Sequence, residues 1–152
     1  MLINLSPEKT NWRPQDGLPL QNWFNNVKNG PVIDQDHFLV NYVGHPYSGS
    51  IYYQTARTSG CGMMDSFLYG AAMSTFYLEF GIEAFFTKPS IEDLIFTPFL
   101  GAFLGEWAYQ KRKEIIANGR RFHESELLGK VILFCLDPID ECYHYIYRDS
   151  DK

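Results

Sequence analysis

Polar residues, proline and glycine dominate the first 35 positions, and apolar residues dominate most of the remaining chain. In the first stretch Pro7, Pro14, Pro19 and Pro31 interrupt any long helix, because proline lacks the backbone donor and clashes with the preceding turn. Trp12, Trp23 and Phe24 are its apolar anchors. The pattern predicts an extended arm over 1–35, with one short helix at 19–28, leading into a single domain over 36–152. Residues 36–44 read as a short strand or a helical turn. Gly44-His45-Pro46 then offers a cap position and a proline suited to the first helical turn, so a helix over 46–57 is expected, closed by Ser59-Gly60.

A longer helix is predicted over 61–86. Gly62, Ser66, Gly70 and Ser74 recur every four residues, which places four small side chains on one face; such faces let two helix backbones approach closely. Glu79 and Glu83 share a face further along. Lys88-Pro89 breaks the chain, and Ser90 with Asp93 forms a Ser-x-x-Asp start for a helix over 91–117. Pro98 is expected to kink that helix, Gly101 and Gly105 make a GxxxG pair, and Asn118-Gly119 ends it. An apolar segment over 125–136 comes next. Asp137-Pro138 then caps a last short helix over 138–148, for which an edge strand is the alternative. The elements add up to an all-α fold, a bundle of about four to five helices with small-residue faces.

Composition narrows the function classes. Thirteen basic and 18 acidic residues give a formal net charge of −5, and the basic residues gather only at Lys111-Arg112-Lys113 and Arg120-Arg121, so no nucleic-acid partner is expected. Cys61, Cys135 and Cys142 make no CxxC pair, which argues against a zinc site built on thiolates. Aromatics reach 16% of the chain, a content that suits a membrane interface, a partner surface or a packed core. The charge-free windows Ser66–Leu78 and Leu94–Gly105 fall short of the about 20 apolar residues that span a bilayer. They fit core helices or a hairpin that dips into one. The N-terminal residues lack a charged start followed by an apolar core, so they are not read as a signal peptide. That leaves a cytosolic protein, or an exported one whose signal has been removed.

No nucleophile elbow, zinc-protease, P-loop or dinucleotide motif is present. A set of polar residues in apolar surroundings stands out instead: His45, Arg57, Ser66, Glu79, Glu83, Asp93 and Glu106. Buried carboxylates need partners, and Arg57 is a candidate for Glu79 or Glu83. His45 can carry a proton near neutral pH or serve as a helix cap. Ser66 is a nucleophile only with a base beside it. Ser90 and Asp93 read first as caps, and the small-residue stripes as packing. His45 with two carboxylates could hold zinc, but no ligand spacing argues for it; no metal and no cofactor are expected.

The strings NYVGHPYSGSIYYQTAR and KPSIEDLIFTPFLGAFLGE, joined by the small-residue helix ending at Glu79 and Glu83, carry the pattern HP-x-x-GS-x-YY-x-x-AR, PS-x-x-D and G-x-x-x-GE. Over roughly 36–140 this resembles an uncharacterised domain of unknown function found in Gram-negative envelope proteins. More loosely it is similar to the VanZ-like group of small helical membrane proteins. The resemblance implies location at the bacterial envelope and a polar site of His45, Arg57, Glu79, Glu83, Asp93 and Glu106 where three helices meet. The chain departs from the envelope proteins in lacking an export signal, and it has no clear spanning segment. Three readings are compatible with these residues. The first is an envelope- or membrane-associated domain whose buried polar network fixes helix packing, with a lipid surface, a protein partner or a second copy as its neighbour; removing Glu106 or Arg57 should then cost about 3–5 kcal/mol. The second is an enzyme on a lipid or lipid-linked envelope substrate, with His45 as acid or base, Glu79 or Glu83 orienting it, Glu106 assisting, and Arg57, Ser66 and Asp93 on the ligand. The third is a soluble module that binds a partner through its aromatic surface.

Overall fold

The computed structural model describes residues 18–33 and 39–148; the expected arm up to residue 17, with Trp12, lies outside them. Helix α1 covers Pro19–Asn29, with Pro19 in its first turn, and Gly30 ends it at φ +75°. Its polar face turns inward: Asn26 donates to the Ala84 carbonyl and Trp23 to that of Phe80. A π-helical turn, Val40–Gly44, runs straight into α2, His45–Thr58. The first turn is therefore helix, not strand. His45 does not act as a cap: it has helical dihedrals, and its N–H donates to the Val40 carbonyl inside a continuous helix.

Helix α3, Met63–Ala72, continues through a π segment, Met73–Ile82, and a 3₁₀ turn, Glu83–Phe85. The wider i→i+5 winding keeps Glu79 and Glu83 both turned inward. Ser90 caps α4, Ile91–Ala117, accepting the Asp93 N–H at 3.2 Å, as the Ser-x-x-Asp spacing predicts. The helix runs unbroken through Pro98 and stops where Gly119 takes φ +68°. Ser125 and Asp137 cap α5, Glu126–Leu136, and α6, Pro138–Tyr143, by the same kind of bond. The tail His144–Arg148 is a π turn and not an edge strand. The fold is all-α, as the sequence pattern indicates.

Helices α2 and α4 form the centre. They cross where glycine meets glycine: a Cβ placed on Gly101 would lie 2.7 Å from the Cα of Gly49, and one on Gly105 would lie 3.0 Å from the Ser50 carbonyl. No side chain fits between these backbones, which explains the GxxxG pair. Of the earlier stripe, Ser66, Gly70 and Ser74 are buried, whereas Gly62 is exposed.

The interior is polar. Among the described residues the buried apolar side chains are Tyr53, Ala56, Ala84, Ala108, Ile115 and Leu133. Buried polar ones are more numerous and include Asn41, His45, Ser50, Gln54, Ser66, Ser74, Glu79, Glu83, Asp93, Thr97, Arg112 and Asp137. Large apolar side chains instead lie outside. On α4 the row Ile95, Phe99, Phe103, Trp107, one residue per turn, is exposed by 52%, 62%, 81% and 51%, while the opposite row of Asp93, Thr97, Gly101 and Gly105 is buried. A water-soluble helix has the reverse arrangement.

Candidate functional site

The polar residues singled out in the sequence do not converge on one point; they form two clusters on the α2–α4 axis. The first lies where the start of α2, the π segment after α3 and the start of α4 meet. His45 Nε2 is 3.7 Å from Asp93 Oδ2 and 3.9 Å from Glu83 Oε1. His45, Glu79 and Glu83 each present a ligand-type atom, and these atoms lie within 4.8 Å of one another. All four side chains are sealed: His45 is 5% exposed, Glu79 1%, Glu83 6% and Asp93 1%. Ser90 bonds one of the carboxylates and caps the helix that carries another. Its N–H donates to Glu79 Oε2 at 2.9 Å, and its hydroxyl accepts the Asp93 N–H. Segment 31–33 braces this corner, since Val32 N–H bonds the Pro89 carbonyl and Ile91 N–H bonds that of Val32.

The second cluster sits three turns along. Arg57 does not pair with Glu79 or Glu83; it pairs with Glu106, Nε to Oε2 at 2.9 Å. The reason is the length of α2: twelve residues separate Arg57 from His45, about 18 Å of helix at 1.5 Å each. Arg57 thus reaches the middle of α4, not its start. Tyr53 donates to the same Glu106 oxygen at 2.7 Å, Gln110 donates to the other at 2.7 Å, and Arg57 Nη1 bonds the Cys61 carbonyl. The guanidinium also lies 4.4 Å over the Tyr109 ring. Burial pushes the Glu106 carboxyl up, but the hydrogen bonds from Arg57, Tyr53 and Gln110 and the Arg57 charge outweigh it and bring it down to about 2. Burial and the bond to Glu106 push the Tyr53 phenol up to about 12. Glu106, unexplained by its apolar neighbours in sequence, is thus the acceptor of a three-donor network. It also forms the charged edge of a groove of about 620 Å³ walled by Met63, Met64, Phe67, Phe103 and Trp107.

Ser66 is fully buried on α3, and its hydroxyl has no hydrogen-bond partner among the described residues, so no base activates it.

A third polar centre lies outside the residues that the sequence pattern singles out. Arg112, 2% exposed, bonds Asp137 at 3.0 Å and also pairs with Asp140, while Arg120 pairs with Glu141. Burial pushes the Asp137 carboxyl above its ordinary value in spite of the adjacent guanidinium. A signal for it exists in the chain: Arg112 falls in the row Gly101, Gly105, Ala108, Arg112, Ile115, spaced by fours and threes, the interior face of one helix.

The fold and these centres define an all-α domain organised around buried polar clusters. The family described as a domain of unknown function, DUF3943, matches residues 30–139. That is well over half of the chain, and the chain belongs to this family. The match bears out the resemblance to a domain of unknown function; it carries neither the VanZ-like likeness nor a compartment. No curated protein and no solved structure matches the chain.

Proposed function

We propose that this domain is membrane-associated and sits partly immersed in lipid, with its apolar side chains against acyl chains and its polar clusters holding the helices together inside. The inverted distribution of side chains carries the reading. Exposed Leu, Ile, Phe, Met, Trp and Tyr residues occur on every helix from α1 to α6. A protein-binding patch would gather them on one face. In lipid there is no hydrophobic drive between helices, so close backbone contact and polar bonds must supply the association. The Gly49–Gly101 crossing and the three polar clusters are devices of that kind.

The depth of immersion rests on α4. No helix among the described residues is long and apolar enough to cross a membrane. The apolar row from Ile95 to Trp107 spans thirteen residues, a rise of about 18 Å at 1.5 Å per residue, somewhat over half of a hydrocarbon core of about 30 Å. Beyond it come Lys111, Lys113 and Glu114, and then Arg121 and Glu124, all charged and mostly exposed. These suit the headgroup level.

Flotation of the purified chain with phosphatidylcholine vesicles, with and without phosphatidylglycerol, tests this. Binding to both vesicle types that persists in high salt is expected, because the attraction is apolar and the chain is acidic. A monodisperse monomer that stays with the aqueous fraction would sink the proposal. A detergent-free dimer or larger assembly that ignores vesicles would replace lipid by a second copy. An enzyme acting through His45 is less well supported, since an imidazole 5% exposed offers no open cleft to a substrate.

A further inference from the structure

We propose that His45, Glu79, Glu83 and Asp93 form a binding site for one divalent transition-metal ion, zinc being the best match. The four side chains come from three separate elements, α2, the π segment with its 3₁₀ turn, and α4, and are all at most 6% exposed. Their spacing is the informative feature. His45 Nε2 stands 3.7 Å from Asp93 Oδ2 and 3.9 Å from Glu83 Oε1. Both gaps exceed the 2.7–3.2 Å of an N–H···O bond. They are close to the separation of two ligands on one ion: bonds of about 2.1 Å at a tetrahedral angle place the ligand atoms about 3.4 Å apart. Drawing Glu83 and Asp93 in to that separation from His45 takes about 0.3–0.5 Å, and Glu79, whose ligand atom shares a 4.8 Å span with those of His45 and Glu83, would move in by at most about 1.4 Å.

Donor chemistry and support agree with the geometry. An imidazole and three carboxyl side chains share one buried corner, a donor set of the kind that holds a divalent ion. Metal ligands are held in place by outer hydrogen bonds, and Ser90 supplies these: its N–H holds Glu79, and its hydroxyl anchors the backbone of Asp93. One turn beyond Asp93 on the same face, the Thr97 hydroxyl is fully buried with no hydrogen-bond partner among the described residues. Imidazole with carboxylates selects zinc, manganese or iron over softer ions. The corner is closed to solvent, so the ion would act as a rivet between α2, the π segment and α4.

The test uses the whole chain stripped with a chelator, with Zn(II) and Co(II) as probes. Wild type should take up one equivalent of Zn(II), melt higher when loaded, and give the visible absorption of four-coordinate Co(II). Glu83→Gln and His45→Gln should lose at least about tenfold in Zn(II) affinity, as losses in metal shells do, whereas Glu106→Gln in the separate cluster should bind like wild type. Glu83→Gln should melt at the same temperature with and without Zn(II), whereas wild type rises on loading; a Glu83→Gln protein whose melting still rises with Zn(II) counts against the site. Should both substitutions fail to fold, the wild-type measurements decide. A wild-type chain with no Zn(II) uptake, no shift in melting and no Co(II) absorption overturns the proposal, as does a Glu83→Gln protein that loads as well as wild type.

Discussion

At the scale of single residues, Glu106 is the side chain whose surroundings dictate its behaviour most directly. Its pKa falls from 4.5 to about 2 on folding, so its bonds stabilise the folded state fully above about pH 4.5 and lose that effect as pH falls toward 2. Tyr53 is raised from 10.0 to about 12; its contribution is complete below pH 10 and disappears as pH rises through 12. Melting measured across pH should therefore show a plateau with both limbs. Glu106→Gln should remove the acid limb and cost on the order of 2 kcal/mol, below the about 3–5 kcal/mol of a fully buried pair, because the side chains of Arg57 and Glu106 keep 16% and 20% exposure. A variant that melts like wild type at pH 7 would mean the network is idle. The burial of His45, Ser66, Glu79, Glu83 and Asp93, though not that of Gln54, Thr97 or Arg112, was legible from polar types placed among apolar ones. Their partners were not. Pairing Arg57 correctly required knowing how far α2 carries it along α4, and no pattern in the sequence encodes the register of two crossing helices.

At the scale of elements, the α2–α4 crossing sets the cost of added bulk. Gly101→Ala should destabilise by about 1–3 kcal/mol, the usual range for overpacking, since the new methyl would lie 2.7 Å from the Gly49 backbone. Gly105→Ala should cost less, because its nearest obstacle is the movable Tyr53 ring at 2.8 Å. Gly70→Ala, whose nearest neighbour is the Tyr53 N at 3.5 Å, should be neutral or gain up to about 1 kcal/mol from helix propensity. Chemical denaturation of the three variants checks the order; Gly101→Ala as stable as Gly70→Ala would contradict the crossing. At the other end of α4, Arg112→Ala leaves Asp137 buried without its cation and should cost about 3–5 kcal/mol, with Asp137→Asn in the same chain restoring part of it. Helix starts were readable because Ser90, Ser125 and Asp137 act locally through their own backbone neighbours. The π-helical stretches were not readable, since a run such as Met73–Ile82 differs from an α-helix only in its hydrogen-bond spacing and leaves no local composition signal.

At the scale of the whole molecule, the inverted side-chain distribution makes a prediction opposite to that for a water-soluble bundle. In such a bundle, large apolar residues are buried and truncating them costs about 2–5 kcal/mol. Here Phe103 is 81% exposed, Phe76 73% and Tyr145 78%, so they contribute little to the helix contacts and much to whatever surrounds the domain. Replacing Phe76, Phe99 and Phe103 together by Ser should leave melting in detergent within about 1 kcal/mol of wild type, as surface changes do. Each aromatic ring withdrawn from water is worth about 1.5–3 kcal/mol, so the triple variant should lose vesicle binding by well over tenfold while becoming more soluble in plain buffer. The pairing of those two results separates outside from inside. A variant that unfolds in detergent would show that these rings pack against the protein itself. One that folds, stays insoluble and still floats with vesicles would move the lipid contact to α1 or to α5 and α6, where Leu20, Leu127 and Tyr143 remain exposed.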